Sequence, residues 1–235
     1  MRPAIVSGKS PWSVRWEITP TATFFVRLLA NGLKSGISLK SFSVASIVQT
    51  SPVTGISVDV PAIAKAIRAK APDCYIIVDG IQHASHGGID IGAYGIDGYA
   101  VSPYKVFSRH GYGVGWASDR LSALIKETLI GGPVNNWELG TRDTGSYATF
   151  SDVVAYFEWL GGHFTTATDG RARIVAAGKA IHEHEAHLTT AILHGAGNLA
   201  GLAELPGITL IGGDGGEREG VVSFAHARLK AEDIV

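Results

Sequence analysis

The sequence predicts an α/β fold, a mostly parallel sheet layered with helices, and three observations carry that expectation. Apolar runs of strand length at residues 44–48, 75–78 and 98–101 read as buried strands. Segments with helical spacing of apolar residues alternate with them, as in folds that layer helices on a parallel sheet. Thirty glycines, many in GG or GxG clusters, supply tight turns between strand and helix.

Residues 1–40 are the least patterned. Ser10-Pro11-Trp12 and Thr19-Pro20-Thr21 read as turns, and residues 22–31 as a helix stopped at Gly32. From residue 42 the pattern sharpens: a strand at 44–48, then the loop Ser51-Pro52-Val53-Thr54-Gly55. Asp59 caps a helix that places Val60, Ile63, Ala64 and Ile67 on one face. The strand at 75–78 follows Pro72-Asp73 and leads into a loop rich in histidine and glycine. The strand at 98–101 comes next, with a third at 111–117 beside it. Residues 151–160 form an amphipathic helix closed by Gly161-Gly162. A longer helix spans 171–193, with Ile174, Ala177, Ile181, Leu188 and Ile192 in rough register. Short strands at 208–211 and 220–224 are each introduced by glycine. A boundary near residue 165 divides a large domain, 1–164, from a smaller unit, 165–235. No internal repeat or low-complexity tract interrupts this order.

At 235 residues, 46% apolar and 17% charged, the chain reads as globular and able to bury a substantial core. A net charge of −1 offers no electrostatic case for nucleic acid or an anionic membrane. The single cysteine, Cys74, excludes an internal disulfide framework and a multi-cysteine metal site, and fits a reducing, cytoplasmic setting. The apolar run 22–30 is broken by Arg27, lacks a cleavage pattern and is too short to span a bilayer.

Two stretches carry chemistry: Val78-Asp79-Gly80-Ile81-Gln82 and Ser102-Pro103-Tyr104-Lys105. Each follows a strand, so a carboxylate and an amine both fall past strand ends, where open α/β sheets bind ligands. Taken singly, a strand ending in Val-Asp-Gly reads as a turn or cap, and a lysine after a strand as solvated. Their combination resembles the class V fold-type I pyridoxal-phosphate enzymes, which include cysteine desulfurases, aminotransferases, lyases and epimerases. That family's Asp-Gly-x-Gln, then a strand, then Ser-x-x-Lys, is matched by Asp79, Gln82, Ser102 and Lys105, and the interval from acid to lysine also suits it.

The resemblance implies a fold-type I large domain followed by the start of a small α+β domain, with pyridoxal 5′-phosphate as cofactor. Lys105 would be the Schiff-base lysine and later the base that moves the substrate α-proton, work that suits a lysine whose pKa shifts readily. Asp79 would pair with the protonated pyridine nitrogen, Gln82 would donate to the ring oxygen, and Ser102 would bind the phosphate. Where the family places a phosphate-binding histidine before the lysine, Tyr104 stands, and its phenol can do the same. Trp137-Glu138-Leu139-Gly140-Thr141 looks like the family's Glu-x-Gly-Thr motif, whose threonine reaches the phosphate of the neighbouring subunit; Thr141 therefore implies a homodimer.

The resemblance covers about residues 44–225 and has departures. Pro52 replaces the asparagine of the family loop Ser-Asn-x-x-Gly and has no amide to donate. Ser108-Arg109-His110-Gly111 stands where the family has Gly-Pro. The expectation is a chain truncated at both ends, without the upstream ring-stacking segment and without the later substrate-carboxylate arginine or desulfurase cysteine.

Other signals are discounted. Cys74 precedes a buried strand and reads as a core thiol. His182, His184 and His187 do not make His-Glu-x-x-His, and a helix sets His182 and His184 on nearly opposite faces. His83 and His86 flank the cofactor loop; His83 either sits near the site or has no role. Gly87 to Gly92 lacks the spacing of a dinucleotide fingerprint, and Trp116, Trp137 and Trp159 read as core or interface aromatics.

The function expected is a pyridoxal-phosphate enzyme acting on an amino acid, a small-molecule substrate, by a desulfurase-like or lyase-like path. The alternatives are an aminotransferase or epimerase on the same site, and a truncated, catalytically silent α/β domain.

Overall fold

A computed structural model of the chain describes residues 43–124, 143–213 and 217–234. Its main sheet holds β1 (Val44–Val48), β2 (Tyr75–Asp79), β3 (Gly98–Val101) and β4 (Val114–Ala117), in that spatial order. β1, β2 and β3 run parallel; β4 returns antiparallel to β3, pairing Gly98 with Ala117 and Val101 with Val114. Register aligns Val48 with Asp79 and Asp79 with Ala100, so the three parallel strands end together and release their chains on one side.

Helix α1 (Val60–Lys70) carries the chain from β1 back to β2. The Asp59 carboxylate accepts from the Ala62 amide at 2.9 Å, Pro61 suits the first turn, and the buried face is Val60, Ile63, Ala64 and Ile67, as the spacing requires. That face meets the alternating inward side chains of β2, Ile76 and Val78, both fully buried. Each such side chain contributes on the order of 2 kcal/mol by leaving water. The other end of the sheet is closed by Asp97, a buried carboxylate between Arg68 at 2.5 Å and Arg120 at 3.1 Å that also accepts from the Ile76 amide at 2.8 Å. With these partners its charge is compensated rather than stranded.

Two four-residue helices, α2 (Ile91–Tyr94) and α3 (Asp119–Ser122), precede β3 and follow β4. Helices α4 (Thr144–Gly161) and α5 (Gly170–His194) then pack on one another, capped by Asp143 and Asp169. At Gly161 the backbones come so close that a Cβ would overlap the Arg173 carbonyl. β5 (Ile208–Leu210) and β6 (Phe224–His226) form a separate antiparallel pair. No described helix is long and apolar enough to cross a membrane.

Several elements differ from expectation. The strand expected at 111–117 is confined to Val114–Ala117, because Gly111 adopts φ +99° and Tyr112 turns back to a hydroxyl contact with Ser108 at 2.5 Å. The helix expected from 151 starts at Thr144, where the Asp143 carboxylate accepts from the Ser146 amide at 3.2 Å. A short helix does start within the Gly87 to Gly92 stretch, at Ile91–Tyr94. The strand expected at 220–224 lies at Phe224–His226, since residues 218–223 are held by the loop after β1. Leu188 and Ile192 face outward on α5, whose buried positions are Ala177, Gly178, Thr189 and Leu193. Trp116 and Trp159 are exposed, so neither is a core aromatic, and Trp137 lies outside the described residues.

Candidate active site

The site starts where β2 stops. Asp79 is the last residue of β2; its backbone oxygen accepts from Gln49 at 3.0 Å, and its carboxylate accepts from the Ile81 amide at 3.0 Å. That side-chain turn bends the chain out of the sheet and into the short 3₁₀ turn His83–Ser85, with Gln82 at its head. β3 ends similarly: Ser102 is extended, Pro103 opens a second 3₁₀ turn, Pro103–Val106, and Phe107 closes it with φ 69°. The two turns pack together, and the Lys105 Nζ donates to Gln82 Oε1 at 2.6 Å.

Asp79, Gln82, Ser102 and Lys105 therefore come from the carboxyl ends of two adjacent parallel strands, and all four are half-buried. Tyr104 is exposed and stacks on His110, with ring centroids 4.3 Å apart and planes 16° apart. Thr141 lies outside the described residues.

Beneath the turns, the buried Tyr99 hydroxyl donates to Gln49 Oε1 at 2.7 Å. Burial, then the proximity of Tyr94, Glu219 and Asp79, pushes that phenol far above its ordinary range, so it stays a donor. Above them two histidines reach distant carboxylates. His83 Nδ1 lies 2.5 Å from Glu219 Oε1, and His86 Nδ1 lies 2.7 Å from Glu185 Oε2. Burial raises the Glu219 pKa, but the hydrogen bond and charge of His83, with the Thr50 and Ser57 hydroxyls, outweigh it and hold the carboxyl below its ordinary value. His83 thus has a partner. Glu185 and Glu219 carry no signal in the sequence, since Glu185 sits in a histidine-rich helical run that reads as a wet face and Glu219 in a glycine-rich loop.

The sequence matches the aminotransferase class-V family over residues 27–235, most of the chain. The chain belongs to the aminotransferase class-V family. Members of that family use pyridoxal phosphate. Curated relatives include the cysteine desulfurase of Yersinia pestis, 26% identical over 226 residues, covering 93% of this chain and 50% of the relative. The probable cysteine desulfurase 2 of Mycobacterium leprae is 30% identical over 173 residues, covering 71% of this chain and 38% of the relative. The chain spans half or less of the length of these relatives. The fold is that of the cysteine desulfurase from Thermococcus onnurineus NA1, with TM-score 0.60 and 19% identity over 83% of this chain and 47% of that one. The Escherichia coli cysteine desulfurase CsdA gives TM-score 0.57 and 22% identity over 87% and 48%.

The donor set fits the class-V cofactor. A carboxylate suits a pyridine nitrogen, a primary amine an aldehyde, and an amide and hydroxyls suit the ring oxygen and phosphate; here they share one end of the sheet.

Proposed function

We propose that the chain binds pyridoxal 5′-phosphate at the carboxyl ends of β2 and β3 and acts on an amino acid by a desulfurase-like or lyase-like path. The observation that carries this reading is the Lys105 amine held 2.6 Å from Gln82 directly after the strand that ends in Asp79. When bound, the cofactor supplies an electron sink for the bonds at the substrate α-carbon.

The chain's own residues do the rest. The Asp79 carboxylate would pair with the pyridine nitrogen and favour its protonated form. Lys105 would hold the aldehyde through its Nζ, and the same amine would take and return the substrate α-proton. Gln82 has a second amide hydrogen to give to the ring oxygen. Ser102, Tyr104 and, from a second subunit, Thr141 would donate their hydroxyls to the phosphate. Cys74 is 1% exposed, so the accessible thiolate a persulfide path requires is not this residue. The aminotransferase and epimerase readings use the same groups.

The reading extends to a cytoplasmic homodimer, with a large domain over 1–164 and a smaller unit over 165–235. Phe107, Tyr156, Trp159 and Phe164 leave an exposed aromatic row beside the site that a second copy would cover. Sedimentation with and without pyridoxal phosphate tests the dimer, which the shared phosphate should strengthen. The site itself is tested by incubation with pyridoxal phosphate, borohydride reduction and peptide mapping. A pyridoxyl group on Lys105 is expected; a label confined to other lysines sinks the assignment, and no yellow absorbance supports a silent domain.

A further inference from the structure

His86 has no part in the mechanism above, yet it is only 12% exposed at the side chain and sits inside a row of hydrogen bonds that ends at the site. Lys105 Nζ is 2.6 Å from Gln82 Oε1, Gln82 Nε2 is 3.1 Å from His86 Nε2, and His86 Nδ1 is 2.7 Å from Glu185 Oε2. Glu185 comes from α5, which is brought against the loop after β2 at Gly178, where a Cβ would stand 3.1 Å from the Gly88 nitrogen.

The chemistry of the four groups allows one direction along this row. A lysine ammonium only donates, so the amide atom facing it is the oxygen. The amide nitrogen on the far side only donates, so the imidazole nitrogen it meets must offer a lone pair. The ring's proton then resides on Nδ1 and is given to Glu185, an acceptor when ionised. Reversing any one member leaves two donors or two acceptors face to face.

We propose that Glu185 and His86 are positioning residues: they fix the tautomer of His86, thereby the orientation of the Gln82 amide, and thereby the place of the Lys105 amine. The charged groups around His86 are Glu185 from α5, Lys105 through Gln82, and the neighbouring His83–Glu219 pair, reached across Gly220. A Cβ at Gly220 would lie 3.4 Å from Glu185 Cδ and 3.5 Å from His86 Cε1, so the returning loop closes over this pair.

The tautomer and the amide orientation depend on these four side chains alone; the effect on cofactor capture rests on the proposed function. Long-range proton–nitrogen correlation of the histidine rings in the intact chain reads the tautomer, with His86 identified by the loss of its signals in His86→Phe. The expected result at neutral pH is a proton on Nδ1 and none on Nε2; a proton on Nε2 overturns the proposal. Glu185→Gln keeps an acceptor oxygen and should keep the tautomer. Glu185→Leu should lose it and slow pyridoxal labelling of Lys105 about tenfold, while methylation of the exposed Lys179 stays unchanged. Retention of tautomer and labelling rate in Glu185→Leu also overturns the proposal. If the tautomer is as stated but pyridoxal phosphate never labels Lys105, the positioning row stands and the cofactor reading falls.

Discussion

The Tyr99 ring fills the space where a side chain at Gly80 would stand: a Cβ there would fall well inside the ring's van der Waals surface at Cζ and Oη. The glycine after Asp79 is thus a packing requirement, because the Tyr99 hydroxyl must pass it to reach Gln49. Gly80→Ala is expected to destabilise the fold by about 3 kcal/mol, since a buried ring and its hydrogen bond have to move. Denaturant unfolding measures this; a loss under about 0.5 kcal/mol, the range of ordinary surface changes, would contradict the contact.

The His83–Glu219 pair ties the loop after β2 to the returning C-terminal loop. The folded chain holds the Glu219 pKa below its ordinary value, so the unfolded chain binds that proton more readily. The resulting stability is present above the ordinary carboxyl range, about pH 4.3, and is lost as pH falls through the lower folded value. Thermal melts between about pH 6 and 3 should therefore show a steeper acid decline in the wild type than in Glu219→Gln. Parallel declines in the two proteins would show that Glu219 does not carry this linkage.

Cys74 lies under β2 and is shielded. Burial raises its thiol pKa; Arg68 and Arg120 pull it down and Asp97 pushes it up, leaving a net rise. Native protein should resist thiol reagents that react at once after denaturation. Release of sulfide from cysteine that disappears in Cys74→Ser would show instead that this thiol is accessible and chemical.

Asp79→Asn keeps the shape of the side chain and its bond from the Ile81 amide but removes the charge. Pyridoxal labelling of Lys105 should persist, while turnover of an amino-acid substrate falls about a hundredfold or more. Near wild-type turnover would place the pyridine partner elsewhere.

Local chemistry was legible from the residues in order. The Asp59 cap, the Ile76 and Val78 alternation, and the delivery of Asp79 and Lys105 past the ends of β2 and β3 each depend on neighbours a few positions away, so spacing alone determines them. The apolar run at 220–224 shows the limit. It has the composition of a strand, but Ser223 Oγ donates to the Val53 carbonyl, and the Gly55 carbonyl accepts from the Glu219 amide. Those contacts fix the loop after β1 against residues 218–223 and shift the strand to Phe224–His226.

The sequence by itself determined the fold class, the family and which four residues lie at the carboxyl ends of β2 and β3. The tertiary structure alone decided that Lys105 meets Gln82, and that the row continues through His86 to Glu185 while His83 meets Glu219, pairs separated by 99 and 136 residues. A hydrogen bond needs two atoms within about 3 Å, and no local pattern of side chains records which distant carboxylate a folded helix or loop will bring there.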